Sequence, residues 1–315
     1  MQPAEEDVVT VAVWNVEHNG HDKDGADHRR HRAYDVLAEY QPDLVFRQEL
    51  THAHLDGSRA LYEEANRLGL WPFMAPGTPE SPNPTGVFLS TELFQVDALY
   101  THATGGWHPI CNPLVRLKDP DGRPSGKALS LASVHLCCYD PATRAREAKR
   151  LVTLGAPGRT ALFGGDMNSY PHRTHEESVP LPDWSDPALR DAAHFEHRTV
   201  ERDGKRVSDT VPDQILAGGR QVFVEAGYYA ATTLGHAHAL EPTANLWRKD
   251  QGRRSRIDRL YFSPSLAPAL LSLEVVADDD VAEVSDHALL IARFDRAAMQ
   301  TALTPVSETP EESRA

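Results

Sequence analysis

Apolar runs broken by polar, glycine-rich and proline-rich stretches divide the chain into short strands alternating with amphipathic helices. Residues 8–16, Val-Val-Thr-Val-Ala-Val-Trp-Asn-Val, are rich in β-branched side chains and read as a buried strand ending at Asn15, Glu17 and His18. A helix is expected over 28–40, with Asp27 as its cap, Ala33, Tyr34 and Leu37 on its buried face, and Pro42 enforcing the stop. Residues 43–49 form a second apolar strand that closes on Glu49. Strand, helix and strand in this order make a βαβ-like unit, which carries both strand ends to one sheet edge. Asn15, Glu17 and Glu49 are therefore expected to converge.

Further along, a helix is expected over 57–68, and prolines at 72, 76, 79, 82 and 84 mark 72–84 as a loop. Residues 86–90 and 94–100 look like two antiparallel strands, followed by strands at 112–117 and 127–136, the last ending in His135. Residues 143–154 place arginines and a lysine on one side and Leu151 and Leu154 on the other, as an amphipathic helix does. That helix delivers the chain to Thr160-Ala161-Leu162-Phe163, a run suited to a buried strand, after which Gly164-Gly165 would let the backbone turn sharply. Asp166 and Asn168 lie two apart on an extended chain, so both can face one hard cation or phosphate oxygen. Alone, Gly-Asp-x-Asn is also an ordinary loop opening.

Periodicity is lost over 171–187, and 198–212 is a polar excursion, so both are candidate substrate-facing loops. A strand over 256–263 contains Asp258, and Ser285-Asp286-His287 leads into an apolar strand over 288–294. Residues 299–315 read as a disordered tail. No repeat or linker divides the chain, so residues 8–298 are taken as one catalytic domain behind an acidic extension at 1–7.

The 315 residues are 40% hydrophobic, enough for a large buried core. No stretch approaches the roughly 20 apolar residues of a membrane span, and residues 1–7 are acidic rather than leader-like; a soluble, cytoplasmic protein is expected. Three cysteines, two of them adjacent at 137 and 138, make neither a disulfide framework nor a Cys-x-x-Cys zinc spacing. The net charge of −14 argues against a polyanionic partner, but much of it sits at Glu5, Glu6 and Asp7, at Asp278 to Asp280 and in the tail. A phosphate substrate is permitted and not demanded. The stretch His21 to Asp27 resembles half a calcium loop but lacks the bidentate glutamate, so it reads as a solvated loop.

Polar or titratable groups thus stand beside strands at Asn15/Glu17, Glu49, His135, Asp166/Asn168, Asp258 and Asp286/His287. Phosphoester hydrolysis needs neutralised charge on the phosphoryl oxygens, an in-line activated water and help for the leaving oxygen. Mg²⁺ supplies part of this through oxygen ligands at about 2.0–2.1 Å, which suits Glu49 with Asn15 and a further acid. The lack of a His/Cys cluster disfavours zinc.

The segments Trp14-Asn15-Val16-Glu17, Arg47-Gln48-Glu49-Leu50, Val134-His135-Leu136, Gly165-Asp166-Met167-Asn168, Arg256-Ile257-Asp258-Arg259 and Ser285-Asp286-His287 resemble, in order and spacing, those of the endonuclease/exonuclease/phosphatase superfamily. The resemblance spans roughly residues 8–295. It implies an α/β fold, a four-layer α/β/β/α sandwich of two packed mixed β-sheets, with the site at the rim between them. It also implies Glu49 as principal metal ligand for Mg²⁺ (Mn²⁺ as a substitute), Asn15 and Asp286 completing or flanking that site, and Glu17 in support. His287 would be the base or the positive partner of the scissile phosphate, with Asp258 fixing its tautomer. Asp166 would position or deprotonate the water, Asn168 would hold a phosphate oxygen, and His135 would donate to phosphate or leaving group.

Substrate contacts are expected from Asn168, Arg116, Trp247 and Arg254. The segment around Trp247, with Arg248, Lys249, Arg253 and Arg254, offers base stacking and backbone charge, or else is a solvated loop. A nuclease-like phosphodiesterase is the first expectation, and a phosphatase or phosphodiesterase of a small-molecule or lipid phosphate the second. A non-catalytic binding protein ranks last, since Glu49, Asp166 and His287 are all present. His102, His108, His172, His194, His236 and His238 are expected in surface or loop positions. Substrate identity, one metal or two, and oligomeric state stay open.

Overall fold

The computed structural model describes residues 7–305 apart from positions 23, 103, 174, 187, 188, 190 and 248–252. One sheet contains β1 (Val8–Asn15), β2 (Leu44–Gln48), β3 (Trp71–Met74), β4 (Gly86–Leu89), β13 (Leu270–Val276) and β14 (Leu289–Asp295), in the order β13-β14-β1-β2-β4-β3. The other contains β5 (Phe94–His102), β6 (Ile110–Leu117), β7 (Leu129–His135), β8 (Thr160–Asp166), β11 (Val224–Glu225) and β12 (Asp258–Phe262), in the order β11-β12-β8-β7-β6-β5. β9 (Thr199–Arg202) and β10 (Lys205–Ser208) form a separate hairpin. The helices are α1 (His28–Glu39), α2 (Leu55–Leu68), α3 (Pro141–Leu151), α4 (Ala192–Arg198), α5 (Val211–Ala217), α6 (Ala226–Thr232), α7 (Asp279–Val284) and α8 (Arg296–Ala302). No helix among the described residues is long and apolar enough to cross a membrane.

Strand alternation builds the layers. Val9, Val11 and Val13 of β1 point between the sheets, where they meet Leu44, Phe46, Leu131, Leu162, Leu260 and Phe294. Ala12 and Trp14 point the other way, against Tyr34 and Leu37 of α1, Leu61 of α2 and Val284 of α7. On the second sheet, Val134, Phe163 and Tyr261 face outward against Ala148 and Leu151 of α3 and Leu216 of α5. A strand buried on both faces loses the apolar/polar alternation of a half-exposed one, which is why these strands read as continuous apolar runs. Helix, sheet, sheet and helix are the four layers expected.

Each sheet is mixed because one pair within it is parallel, β1 with β2 and β7 with β8, and the other pairs are antiparallel. Those two parallel pairs matter most. Each brings two carboxyl-terminal strand ends side by side.

Gly164 and Gly165 do not make the sharp turn anticipated for them, since β8 runs through both to Asp166. They are needed because the strand is hemmed in on its faces. A Cβ on Gly165, whose φ is 148°, would lie 1.8 Å from the Val134 carbonyl oxygen and 2.9 Å from Gln48 Nε2 of the facing sheet. A Cβ on Gly164 would come within 2.9 Å of Val13 Cγ2. The glycines let the two sheets close at the rim.

Four other expectations are corrected. β4 and β5 are not partners: β4 pairs with β2 and β3, and β5 with β6 in the other sheet. Residues 71–74 in the proline-rich stretch form β3, and Pro72 is tolerated there because β3 is an edge strand. The excursion after Arg198 folds into the β9–β10 hairpin and α5. The start of the expected tail is the end of α8, with Met299 and Leu303 buried in the inter-sheet core, while 306–315 lie outside the described residues.

Candidate active site

The register of the strands assembles the polar groups. His135 at the end of β7 pairs with Asp166 at the end of β8, and Asp166 pairs with Asp258 at the start of β12. Cross-strand partners project to the same face, so these three form one row across the second sheet. In the first sheet Asn15 lies beside Gln48, which places Asn15 and Glu49 at the same edge. His287 sits just ahead of β14, beside β1, and its carbonyl accepts a hydrogen bond from the Trp14 indole at 3.0 Å.

Asn15 joins the two sheets. Its Nδ2 lies 3.3 Å from Glu49 Oε1 and 3.3 Å from Asp166 Oδ2, so the two carboxylates are only two hydrogen-bond lengths apart. Asp166 Oδ2 is the hub: His135 Nε2 is 3.5 Å from it and His287 Nε2 is 4.0 Å from it. The other oxygen, Oδ1, accepts from the Asn168 backbone N–H at 2.8 Å. Asn168 Nδ2 donates to the Leu136 carbonyl at 2.9 Å, which fixes the amide and leaves it a second N–H. Glu49 and Asn168 both hold positive φ, 56° and 48°. Such strain in non-glycine residues collects at functional sites.

On the far side of His287, Nδ1 lies 2.8 Å from Asp258 Oδ2, and Asp286 Oδ1 lies 3.9 Å from Nε2. Burial alone would strip the proton from His287, but Asp258, backed by Asp286 and Asp166, overrides that and holds the ring well above the usual histidine range. His135 behaves oppositely. Burial first, then the His287 and Arg198 charges, push it down to about 3, so it is a neutral hydrogen-bonding group at pH 7.

Two positions for a cation can be compared. Ligand atoms of Asp166, Asp258 and His287 all lie within 4.8 Å of one another. His287, however, has Nδ1 committed to Asp258, which leaves it only Nε2 for a metal. The better fit is beside Glu49 and Asn15. Asn15 Oδ1 is buried without a hydrogen-bond partner among the described residues, and burial raises the Glu49 carboxyl against the His18 N–H and nearby charges that oppose it. An unpaired carbonyl oxygen next to an under-compensated carboxylate is an oxygen-rich donor set for a hard divalent cation. The Glu17 N–H donates to Ser285 Oγ at 3.4 Å and Glu17 Oε2 lies 3.7 Å from Arg29 Nη1, while Asp286 stands on the His287 side.

Several supporting residues receive no role from the sequence, although Arg47, Gln48 and Ser285 lie within the family-like segments. Arg47 is wholly buried and donates to Glu64 Oε1 of α2 at 2.7 Å, to the Trp14 and Gln48 carbonyls at 3.1 Å each, and to Asn19 Oδ1 at 3.0 Å. One guanidinium therefore pins the ends of β1 and β2, which carry Asn15 and Glu49. Gln48 Nε2 crosses to Ser133 Oγ at 3.0 Å, and that hydroxyl returns a bond to the Arg47 carbonyl at 2.7 Å. Ser285 Oγ donates to the Asn15 carbonyl at 2.8 Å and accepts from the His287 N–H at 3.2 Å. His108, expected at the surface or in a loop, lies in a loop but is buried, and stacks on His135 with ring centroids 3.9 Å apart. His194, likewise expected at the surface or in a loop, is buried on α4. Spacing along the chain does not show these roles, because each depends on how separate elements pack together.

The expected substrate contacts divide. Trp247 is 46% exposed and lines a cavity of about 790 Å³ together with Glu17, His18, Asp22, Arg29 and Glu283, so it adjoins the Glu17 side of the site. Arg254 is exposed but donates to the Leu246 carbonyl at 3.2 Å, tying its own loop. Arg248 and Lys249 lie outside the described residues. Arg116 is not at the site. It pairs in register with Gln95 at the far end of β6, where it binds Asp97 and the Ser125 and Gly126 carbonyls. Its neighbour Val115 faces Leu129, six positions along β7 from His135, or roughly 20 Å at the rise of a strand.

Solved structures share this fold. D. rerio TDP2 complexed with a single-strand DNA product is 18% identical, with a TM-score of 0.58 over 91% of this chain and 98% of that one. A mannosyl-6-phosphatase of Bacteroides thetaiotaomicron is 15% identical, with a TM-score of 0.56 over 91% and 99%. The human nocturnin catalytic domain with bound sulfate is 15% identical, with a TM-score of 0.57 over 91% and 94%. No curated protein matches the chain. The profile of the Endonuclease/Exonuclease/phosphatase family matches residues 12–287, a span that begins before Asn15 and closes on His287. With that match across the whole constellation, the chain belongs to the endonuclease/exonuclease/phosphatase family of phosphoester hydrolases, which generally use a divalent metal.

Proposed function

We propose that this chain is a Mg²⁺-dependent phosphodiesterase of the nuclease type. The observation that carries the reading is the Asn15 amide held between Glu49 and Asp166 at 3.3 Å from each, opposite the His287–Asp258 pair. Glu49 and Asn15 would hold the ion, with Asp286 and Glu17 flanking it. When bound, the ion neutralises phosphoryl charge and stabilises the oxygen that leaves. The protonated His287 ring sits where it can bind a phosphoryl oxygen as a cation, its proton retained by Asp258. Asp166 Oδ2, close to both histidines, is placed to orient a water and accept its proton. Asn168 offers its second N–H to the phosphate, and neutral His135 offers a hydrogen bond without adding charge.

Trp247 supports the nuclease reading, because an exposed indole on a roomy cavity beside the metal ligands can stack a base. A second reading, a small-molecule phosphoesterase, is favoured by the same cavity's lining. Glu17, Asp22 and Glu283 would repel a run of backbone phosphates. A panel of single- and double-stranded DNA, RNA, nucleotides, sugar phosphates and phospholipids with Mg²⁺ or Mn²⁺ separates the two. Cleavage of nucleic acid is expected. Turnover confined to monomeric phosphates would favour the second reading, and no turnover of any member would refute both.

A further inference from the structure

Arg198 is the last residue of α4 and reaches a cleft that is also lined by Tyr170, Asn245, Ser255, Asp286 and His287. Three buried arginines, Arg47, Arg144 and Arg256, each face a carboxylate, of Glu64, Asp209 and the Glu177/Glu225 pair respectively. Arg198 does not. Its Nη1 is buried and has no hydrogen-bond partner among the described residues. A guanidinium keeps its charge at any ordinary pH, and a buried charged N–H left unpaired is costly, so a site with this arrangement is built for an acceptor that arrives from outside.

The position of the charge narrows what that acceptor is. Arg198 acts electrostatically on rings at both sides of the site. After burial and His287 it helps depress His135, and it opposes the burial that raises Tyr170. It is therefore a cation within electrostatic reach of both rings, in a cleft that Tyr170 and His287 also line. The cleft has about 20 Å³ of interior room, the space that one water or one phosphoryl oxygen needs. A base or sugar ring does not fit there. A planar, forked donor is well matched to phosphate oxygens.

We propose that Arg198 is a substrate-binding residue that grips a phosphoryl oxygen of the phosphate ester beside His287. The proposal deepens the hydrolase reading and rests on it. The sequence singled out the stretch beginning at Arg198 as substrate-facing but gave no residue in it a role.

The test uses the full chain with Mg²⁺ and inorganic phosphate as the probe, titrated calorimetrically against wild type, Arg198→Gln and Arg198→Lys. Arg198→Gln is expected to weaken phosphate binding about tenfold or more, as loss of a charge-assisted contact does, and Arg198→Lys to retain part of the affinity. The KM for bis-p-nitrophenyl phosphate should rise in the same order, with the melting temperature of Arg198→Lys unchanged. Wild-type affinity in Arg198→Gln overturns the proposal, and should that variant not fold, wild-type affinity in Arg198→Lys does so. Absence of phosphate binding by the wild type overturns it as well. Failure of the wild type to cleave the diester would instead count against the hydrolase reading, because the phosphate titration needs no turnover.

Discussion

His287 Nδ1 lies 2.8 Å from Asp258 Oδ2, a hydrogen bond that links the segment entering β14 in one sheet to the first residue of β12 in the other. The site therefore exists only where the sheets are docked. The bond also decides which protons the site keeps, because it occupies one ring nitrogen and stabilises the charge on the ring.

Replacing Asp258 by Asn removes that stabilising charge while keeping the shape. We expect kcat/KM to fall about 10²–10⁴-fold in Asp258→Asn and at least as far in His287→Ala, the usual range for a lost proton-handling group. Steady-state assays on bis-p-nitrophenyl phosphate check this. Wild-type rates in either variant would remove the pair from the chemistry.

Glu49→Gln keeps the volume of the side chain but removes its charge next to the unpartnered Asn15 oxygen. Divalent-ion affinity measured by calorimetry should drop about tenfold or more, and chelation of wild-type protein should abolish turnover until Mg²⁺ is returned. Undiminished ion binding in Glu49→Gln would move the cation site elsewhere.

Gly165→Ala places a Cβ 1.8 Å from the Val134 carbonyl oxygen at a φ of 148°. The backbones of β7 and β8 are paired there and cannot part without breaking the row that carries His135 and Asp166. A loss of about 3 kcal/mol or more of stability is expected in urea unfolding. Gly164→Ala, whose tightest neighbour is the movable Val13 methyl at 2.9 Å, should cost less. Equal stability of Gly165→Ala and wild type would mean that β7 and β8 are not held this closely at Gly165.

Arg47→Met strands Glu64 in the core beneath the site, and such broken buried pairs cost about 3–5 kcal/mol. Arg47→Met with Glu64→Leu should recover part of the loss, since no unpaired charge remains. Chemical denaturation of the three variants measures it. A double variant no more stable than the single one would show that the Arg47 bonds to the Trp14 and Gln48 carbonyls, rather than the ion pair, supply the stabilisation.

His108 predicts an acid limb to stability. Burial, aided by His135, pushes its pKa down from 6.5 to about 2, so the unfolded chain takes up a proton that the fold refuses. With more protons bound to the unfolded state, stability falls as pH drops below that ordinary value, by about 1–2 kcal/mol between pH 7 and pH 5. His108→Gln should flatten this limb in melting experiments. An unchanged pH profile would assign the acid sensitivity to other groups.

Much of the rim was legible in the chain because its residues sit at or just past strand ends, and strand ends are announced locally. The β-branched run before Asn15 and the apolar runs before Glu49 and Asp166 owe nothing to distant partners. Arg116 shows where that logic stops. It stands in a strand as well formed as the others, yet at the wrong end of it, and one sequence does not say which end of β6 meets the rim.

The sequence by itself determined which segments become strands, which groups of atoms stand at their ends, and, through ordered motifs, the family. Tertiary structure alone decided that β4 and β5 part into different sheets, that Gly165 is a point of contact rather than a turn, and that Arg47 pins two strand ends. It alone brought Arg198 beside His287. The reason is the range of the forces. Side-chain alternation and backbone preference act over a few residues, whereas sheet docking and the desolvation of a buried charge depend on atoms from tens to more than a hundred positions away.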